Sequence, residues 1–154
     1  MMAIVSIALR AVLFAFNAAV LLLAAGGDMM RRVIYDKISL LLLAGGVTAR
    51  LLLEPKGIWL SAIVALVVYA ILAAMTAIAL IGGGDAKLAA AATFLVPANE
   101  VPVLFLDISL AGGLLGIAYV IAKWARLTRE TTLPYGVAIS GGVLYRMVVD
   151  QCLH

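Results

Sequence analysis

"IWLSAIVALVVYAILAAMTAIALI", from Ile58 to Ile81, is an uncharged run of 24 residues, and it decides the fold class. As an α-helix rising about 1.5 Å per residue, a run of roughly twenty apolar residues spans the ~30 Å hydrocarbon layer of a bilayer. The rest of the chain has the same character, because 66% of its 154 residues are hydrophobic and 12% are charged. A soluble core of this size cannot use so much apolar surface, so we expect an all-α, polytopic membrane protein.

Outward from this run, further apolar stretches predict about six transmembrane helices in a single domain over residues 1–154. The predicted spans are residues 3–27, 38–53, 58–81, 88–98, 103–122 and 135–149. The fourth is too short to cross the bilayer untilted. Arg50, near the end of the second, is expected to snorkel to a membrane surface. The single cysteine, Cys152, excludes an internal disulfide and a four-cysteine zinc site.

Basic residues are distributed unequally between the two sides of the predicted bundle. The loops after spans one, three and five hold seven, Arg31, Arg32, Lys37, Lys87, Lys123, Arg126 and Arg129, and the opposite side holds four, Arg10, Arg50, Lys56 and Arg146. The positive-inside rule therefore places the first group in the cytoplasm. We read the net charge of +3 as membrane orientation, and expect a protein of the cytoplasmic (inner) membrane whose partner is the lipid bilayer and not nucleic acid.

Two of the apolar runs end in Gly-Gly-Asp, at Asp28 and at Asp85. Two spans separate these aspartates, so both are expected at the cytoplasmic edge, each at the C-terminal end of an apolar helix. Two carboxylates held close together share a proton, and the ionised one can then activate water. The glycines Gly82, Gly83 and Gly84 would let a substrate backbone approach. Aspartates and glycines also mark ordinary helix ends, and on the pattern alone the two interpretations stay about equally open.

Three segments carry a family resemblance. "GGGDAK", Gly82–Lys87, resembles the G-x-G-D-x-K signature of the type IV prepilin peptidases and archaeal preflagellin peptidases, which are membrane aspartyl proteases of the GxGD type. "DMMRRVIYDKIS", Asp28–Ser39, resembles the first segment of that family, although Tyr35 replaces its usual proline. "LPYGVAIS", Leu133–Ser140, resembles a third segment typical of the small forms that serve Flp (Tad) pili.

The resemblance implies an aspartic endopeptidase that removes the leader of prepilins at the cytoplasmic membrane face, with Asp28 and Asp85 as the catalytic pair. The implied substrate has a short basic leader followed by an apolar helix. No cofactor and no metal are expected. Nothing in the chain matches the cysteine-bearing insertion of the larger methylating members, so we expect no methyltransferase activity. The oligomeric state stays open.

Other polar residues near the two aspartates have two interpretations each. Lys87 could pair with Asp85 and lower its pKa, or serve as a positive-inside anchor. Asp36 could orient the pair or bind the basic leader, or be a solvated charge at a helix start. The segment Pro134, Tyr135 and Gly136 could flank the active site and pair with an extended substrate, or simply begin the sixth helix.

Asp107, inside the fifth span, is expected near the outer face beside water, Ser109 or another polar neighbour. Two rival functions also fit a small polytopic protein. A proton-coupled transporter would place its acids near the midplane, unlike the two aspartates here. A non-catalytic subunit of a pilus-assembly complex would explain the small-residue packing surfaces, but gives no reason for matched aspartates.

Overall fold

The computed structural model describes residues 2–125 and 133–153 of the chain. The described part folds into six α-helices and contains no strand, which confirms the all-α prediction. The helices are α1 (Met2–Arg31), α2 (Asp36–Leu53), α3 (Ile58–Ala77), α4 (Gly83–Ala92), α5 (Val101–Trp124) and α6 (Tyr135–Leu153). Arg126 and Arg129, two of the residues used above to predict the orientation, lie outside the described residues.

Three of the helices are long and apolar enough to cross a membrane, judged by length and composition. They are Ile7–Arg31 in α1, Pro55–Ala77 in α3 with its preceding turn, and Ala98–Trp124 in α5 with its preceding turn. Their outer faces carry large apolar side chains, such as Trp59 at 81% exposure and Leu114 at 70%. Lipid is the solvent that such faces require, so the chain is a membrane protein.

The third and fourth spans differ from their predicted bounds. The third ends at Ala77 and not at Ile81, and Ala79 then adopts a left-handed conformation with φ of 58°. The amide of Leu80 donates to the carbonyl of Met75, which closes the helix end. The fourth helix starts at Gly83, earlier than predicted, and has 10 residues. At about 1.5 Å per residue, such a helix cannot cross the hydrocarbon layer alone.

Helix α4 is the buried centre of the bundle, and it packs against α2, α3 and α6. Its residues from Leu88 to Ala92 are all buried, and four of these five are alanines. Small residues also govern the contact of α6 with α5. A Cβ added at Gly142 would lie 2.6 Å from the Cα of Ile108, so only glycine permits this approach.

The guanidinium of Arg50 is paired within the protein. Arg50 is only 9% exposed, so the prediction that it snorkels is wrong. Its Nε donates to the carbonyl of Phe94 at 3.3 Å, and its Nη1 contacts Glu54 at 2.5 Å. The two partners satisfy the guanidinium within the protein, so it has no need to reach a membrane surface.

The predicted polar neighbour of Asp107 is Arg146 of α6. The Nε of Arg146 donates to the Oδ2 of Asp107 at 3.0 Å. Ser109 has a different partner, because its hydroxyl donates to the carbonyl of Phe105 at 2.7 Å. Asp107 is therefore an intramembrane acid with a buried cationic partner.

Candidate active site

Asp28 lies in the last turn of α1 and is 7% exposed. Its Oδ2 accepts a hydrogen bond from the backbone N–H of Gly136 at 2.7 Å. Gly136 belongs to the first turn of α6, where N–H groups have no partner within the helix and carry partial positive charge. The start of α6 is therefore a favourable place for a carboxylate.

Ile34, in the connection between α1 and α2, packs between the starts of α4 and α6. A Cβ at Gly84 would lie 3.0 Å from the Cβ of Ile34, and one at Gly136 would lie 2.7 Å from its Cδ1. The same added atom at Gly136 would lie 3.0 Å from the Oδ2 of Asp28. The three segments that carried the family resemblance thus meet at one place. Sequence reasoning gave Ile34 no structural role, because it lies beside the equally apolar Val33 and nothing local distinguishes it.

Asp85 lies in the first turn of α4, so the prediction that it ends the third helix is wrong. Gly82 precedes α4, Gly83 and Gly84 are its first two residues, and Asp85 lies in its first turn, where the helix dipole favours an acid. A Cβ at Gly82 would lie 2.8 Å from the Oδ2 of Asp85. The carboxylate therefore folds back over the glycine that precedes the helix.

The glycines of this segment are not equivalent. A Cβ added at Gly82 would displace the Asp85 carboxylate, and one at Gly84 would crowd the Cβ and the carbonyl oxygen of Ile34 at 3.0 and 3.1 Å. At Gly83 the nearest atom to an added Cβ is 3.7 Å away, an ordinary van der Waals contact. This alternation matches the G-x-G pattern, in which the middle position is free.

The two carboxylates influence one another electrostatically. Partial burial, and then repulsion from the Asp28 carboxylate, raise the pKa of Asp85 from 3.8 to about 6. Neither aspartate has a salt bridge to a lysine or arginine within the described part of the chain. Asp85 can therefore keep its proton in mildly acidic conditions, and a carboxyl group with such a raised pKa is able to act as a proton donor.

Lys87 pairs with Asp36 rather than with Asp85. Its Nζ lies 2.8 Å from both carboxylate oxygens of Asp36, and this hydrogen bond raises the pKa of Lys87. The pKa of Asp85 is raised and not lowered, so the alternative in which Lys87 neutralises Asp85 is wrong. Asp36 is the first residue of α2 and its side chain is largely exposed, as the interpretation of a solvated charge at a helix start expected, and its ion pair with Lys87 also links α2 to α4.

The segment Pro134, Tyr135 and Gly136 begins α6, as one of its two interpretations expected. The amide of Val137 donates to the carbonyl of Pro134 at 3.1 Å, which closes the first helical turn. The segment also flanks the site, because the N–H of Gly136 binds Asp28. That N–H is consequently not free to pair with an extended substrate strand.

Among the described residues, no group of three or more His, Cys, Asp or Glu side chains could hold a metal ion. The chemistry available at this place is that of two neighbouring carboxyl groups, one of them with a raised pKa. Such a pair can take a proton from water and give one to a carbonyl oxygen or an amine.

Comparison with protein families identifies the chain. The model of the type IV leader peptidase family matches residues 15–117, which is more than half of the sequence and includes both aspartates and the glycines before them. The start of α6 lies beyond the matched region. Neither the curated proteins nor the solved structures yielded a match. The family match alone is sufficient, and the chain belongs to the type IV leader peptidase family.

Proposed function

We propose that this type IV leader peptidase is an aspartyl endopeptidase of the GxGD type that uses Asp28 and Asp85 to hydrolyse one peptide bond of a prepilin. One observation carries the proposal: the buried Asp28 accepts the N–H of Gly136 while the neighbouring Asp85 has its pKa raised to about 6. One carboxyl group is thereby suited to the ionised form and the other to the protonated form.

In the proposed reaction, the oxygen of a water molecule attacks the scissile carbonyl carbon while the Asp28 carboxylate takes a proton from that water. The protonated Asp85 donates a hydrogen bond, and then its proton, to the carbonyl oxygen. As the tetrahedral intermediate collapses, Asp28 returns its proton to the leaving nitrogen, the C–N bond breaks, and Asp85 recovers its proton from the hydroxyl group. The products are a carboxylic acid and an amine, and the pair returns to its starting protonation state.

The proposed substrate is a prepilin of the Flp (Tad) type, with a short basic leader and an apolar helix, cut at the cytoplasmic face of the inner membrane. The substrate class is supported by the family, and the Flp type by the resemblance of the α6 start to the small forms. The face is supported by the charge distribution of the loops. No cofactor is required, because two carboxyl groups and water supply every proton in the reaction.

Replacement of each aspartate by asparagine tests this mechanism. Asn has nearly the same shape as Asp but neither holds the charge nor passes the proton. Asp28→Asn and Asp85→Asn should each abolish prepilin cleavage, measured by gel shift after co-expression, while both variants insert at normal abundance. Asp107→Asn serves as the matched control and should retain most cleavage. Clear cleavage by an inserted Asp28→Asn or Asp85→Asn variant would show that the pair is not catalytic.

The same experiment separates the proposal from its rivals. If the chain were a transporter or a non-catalytic assembly subunit, a prepilin expressed together with the unaltered chain would remain uncut. Cleavage that depends on both aspartates therefore excludes both rivals.

Cysteine labelling tests the proposed orientation. The exposed Cys152 is first replaced by serine, so that single cysteines can be introduced on either side. Lys56→Cys should react with an impermeant reagent from outside, and Lys37→Cys only after the inner face is opened. Labelling of Lys37→Cys from outside would invert the orientation and remove the site from the cytoplasm.

A further inference from the structure

A groove of about 510 Å³ lies between α2 and α3, with α4 beneath it. We call it the α2–α3 groove, and its apolar lining is Leu40, Leu43, Ala62, Leu66, Ala90 and Ala91. α2 and α3 each pack on α4 and scarcely touch one another, which leaves the space between them unfilled. The groove is thus a product of how the short α4 separates two longer helices.

One end of the groove adjoins the candidate active site. Asp36, Lys87 and Tyr69 line this end, and Lys87 follows Asp85 by two residues on α4. Phe94 lies at the other end, seven residues beyond Lys87, or about 10 Å along a helix. The groove therefore runs away from the two aspartates, along α4 and into the bundle.

The lining of the groove includes a hydroxyl group without a hydrogen-bond partner, and its rim includes exposed apolar side chains. Ser39 is 6% exposed, and its Oγ has no hydrogen-bond partner among the described residues. Leu40 and Leu66 on the rim are 66% and 69% exposed. A buried hydroxyl without a partner is costly, so an occupant that supplies an acceptor is favoured.

We propose, on the basis of the function proposed above, that the α2–α3 groove receives the apolar helix of the prepilin, with the N-terminal end of that helix at Asp36 and Lys87. The alanines of the lining allow two helices to approach closely. Helix carbonyls retain a second lone pair, so one of them can accept the Ser39 hydroxyl, whereas a lipid acyl chain has no acceptor. Asp36, whose side chain is 72% exposed, can meet the basic residues of the leader.

This placement explains the position of the cut. A helix that starts beside Lys87 puts the peptide bond preceding it next to Asp85. The leader then remains at the membrane surface, near Asp28, and the apolar helix remains in the membrane. The groove would thus define the substrate class as a polypeptide whose helix begins directly after the scissile bond.

Photo-cross-linking tests the placement. A benzophenone amino acid replaces Leu66 in the inactive Asp85→Asn chain, which holds prepilin uncut, and the cross-linked residue of the substrate is identified by mass spectrometry. The matched control carries the same group in place of Ile71, which is 56% exposed on the same helix but about 140° around it from Leu66. We expect the group at position 66 to capture the apolar helix of the prepilin, at a yield about tenfold above position 71.

Three results would overturn the placement. They are equal capture at both positions, capture only at position 71, and capture of lipid but not prepilin at position 66. If the active chain still cuts prepilin, the proposed function survives and only the groove is excluded. If the active chain cuts no prepilin and neither position captures it, the proposed function fails and the placement with it.

Filling the groove gives an independent readout. Ala62→Leu adds bulk inside the groove, and Ala70→Leu adds the same bulk at an exposed position outside it. Ala62→Leu should raise KM for prepilin about tenfold with kcat little changed, and Ala70→Leu should change neither. An unchanged KM for an inserted Ala62→Leu chain would contradict the proposal.

Discussion

Helix α6 binds two aspartates in different ways, one at its start and one in its second half. At its start, the backbone N–H of Gly136 donates to Asp28, which lies inside a membrane-length helix. About ten residues later, Arg146 donates to Asp107, which lies inside another. The first partner is neutral and the second is a full positive charge. Helix α6 thus binds two acids, Asp28 by a hydrogen bond and Asp107 by an ion pair.

The contrast between a neutral and a charged partner indicates which acid is available for reaction. The charge of Arg146 balances that of Asp107, and the two side chains are only 12% and 10% exposed. The N–H of Gly136 orients Asp28 without neutralising it, so the charge remains available to Asp85 and to a substrate. We therefore expect the site at the start of α6 to control activity and the pair further along to control stability.

The largest expected effect concerns the two aspartates together. If Asp28 and Asp85 act on one water as a unit, losing either destroys the unit. The double variant Asp28→Asn/Asp85→Asn should then be no less active than each single one, all showing losses of about 1,000-fold or more. Single-turnover cleavage with purified protein measures this. Losses that multiply in the double variant would show two independent contributions in place of one dyad.

The second prediction addresses the ion pair. Arg146→Met leaves the Asp107 carboxylate buried without a partner, which should cost about 3–5 kcal/mol of folding free energy. Unfolding in detergent, followed by helical circular dichroism, measures the loss. The double variant Arg146→Met/Asp107→Leu should recover much of it. Asp28→Asn should alter stability far less, since the amide oxygen can still accept from Gly136. Equal destabilisation by Asp28→Asn and Arg146→Met would remove the distinction between the two aspartate contacts of α6.

The third prediction uses the unequal glycines before Asp85. Gly84→Ala forces its methyl group against Ile34, so we expect a cost of about 1–3 kcal/mol and a smaller loss of cleavage than in the aspartate variants. Gly83→Ala adds the same group where there is room and should be close to neutral. Ile34→Ala should not rescue Gly84→Ala, because the added methyl group meets the Cβ and the carbonyl oxygen of residue 34, which alanine retains. A Gly83→Ala variant as impaired as Gly84→Ala would argue against the packing described here.

The smallest expected effect is that of pH on cleavage. Asp85 loses its proton as the pH rises through about 6, so kcat/KM should fall by roughly fivefold between pH 6 and pH 7. Asp107→Asn should keep the same profile, because its ion pair takes no part. A flat profile across this range would show that a protonated Asp85 is not required.

The same pKa has a consequence for stability. The folded chain holds the Asp85 proton up to about pH 6 and the unfolded chain only to about 3.8, so folding is favoured by protonation. Stability from this group is fully present below the lower value and is lost as the pH rises to the upper one. Asp85→Asn, which cannot ionise, should remove this part of the pH dependence.

The sequence predicted the helices well where apolar runs are long. The spans in α1, α3 and α5 follow from run length alone, since a helix satisfies its backbone hydrogen bonds internally and needs no partner to cross the membrane. The bounds around Gly82–Gly84 were predicted less well. The third apolar run continues to Ile81, but the helix stops at Ala77, because composition does not encode the left-handed turn at Ala79.

For the site, the sequence by itself determined the membrane-embedded helical class, the two aspartates as candidates, and the family. These depend on local properties, namely residue type, run length and short motifs. Only the tertiary structure decided which partners those residues have. Lys87 pairs with Asp36 and not with Asp85, Arg50 turns inward to Phe94, and Gly136 meets Asp28 across 108 residues of sequence. Such contacts depend on how closely helices can approach, which is set jointly by small residues distant in sequence.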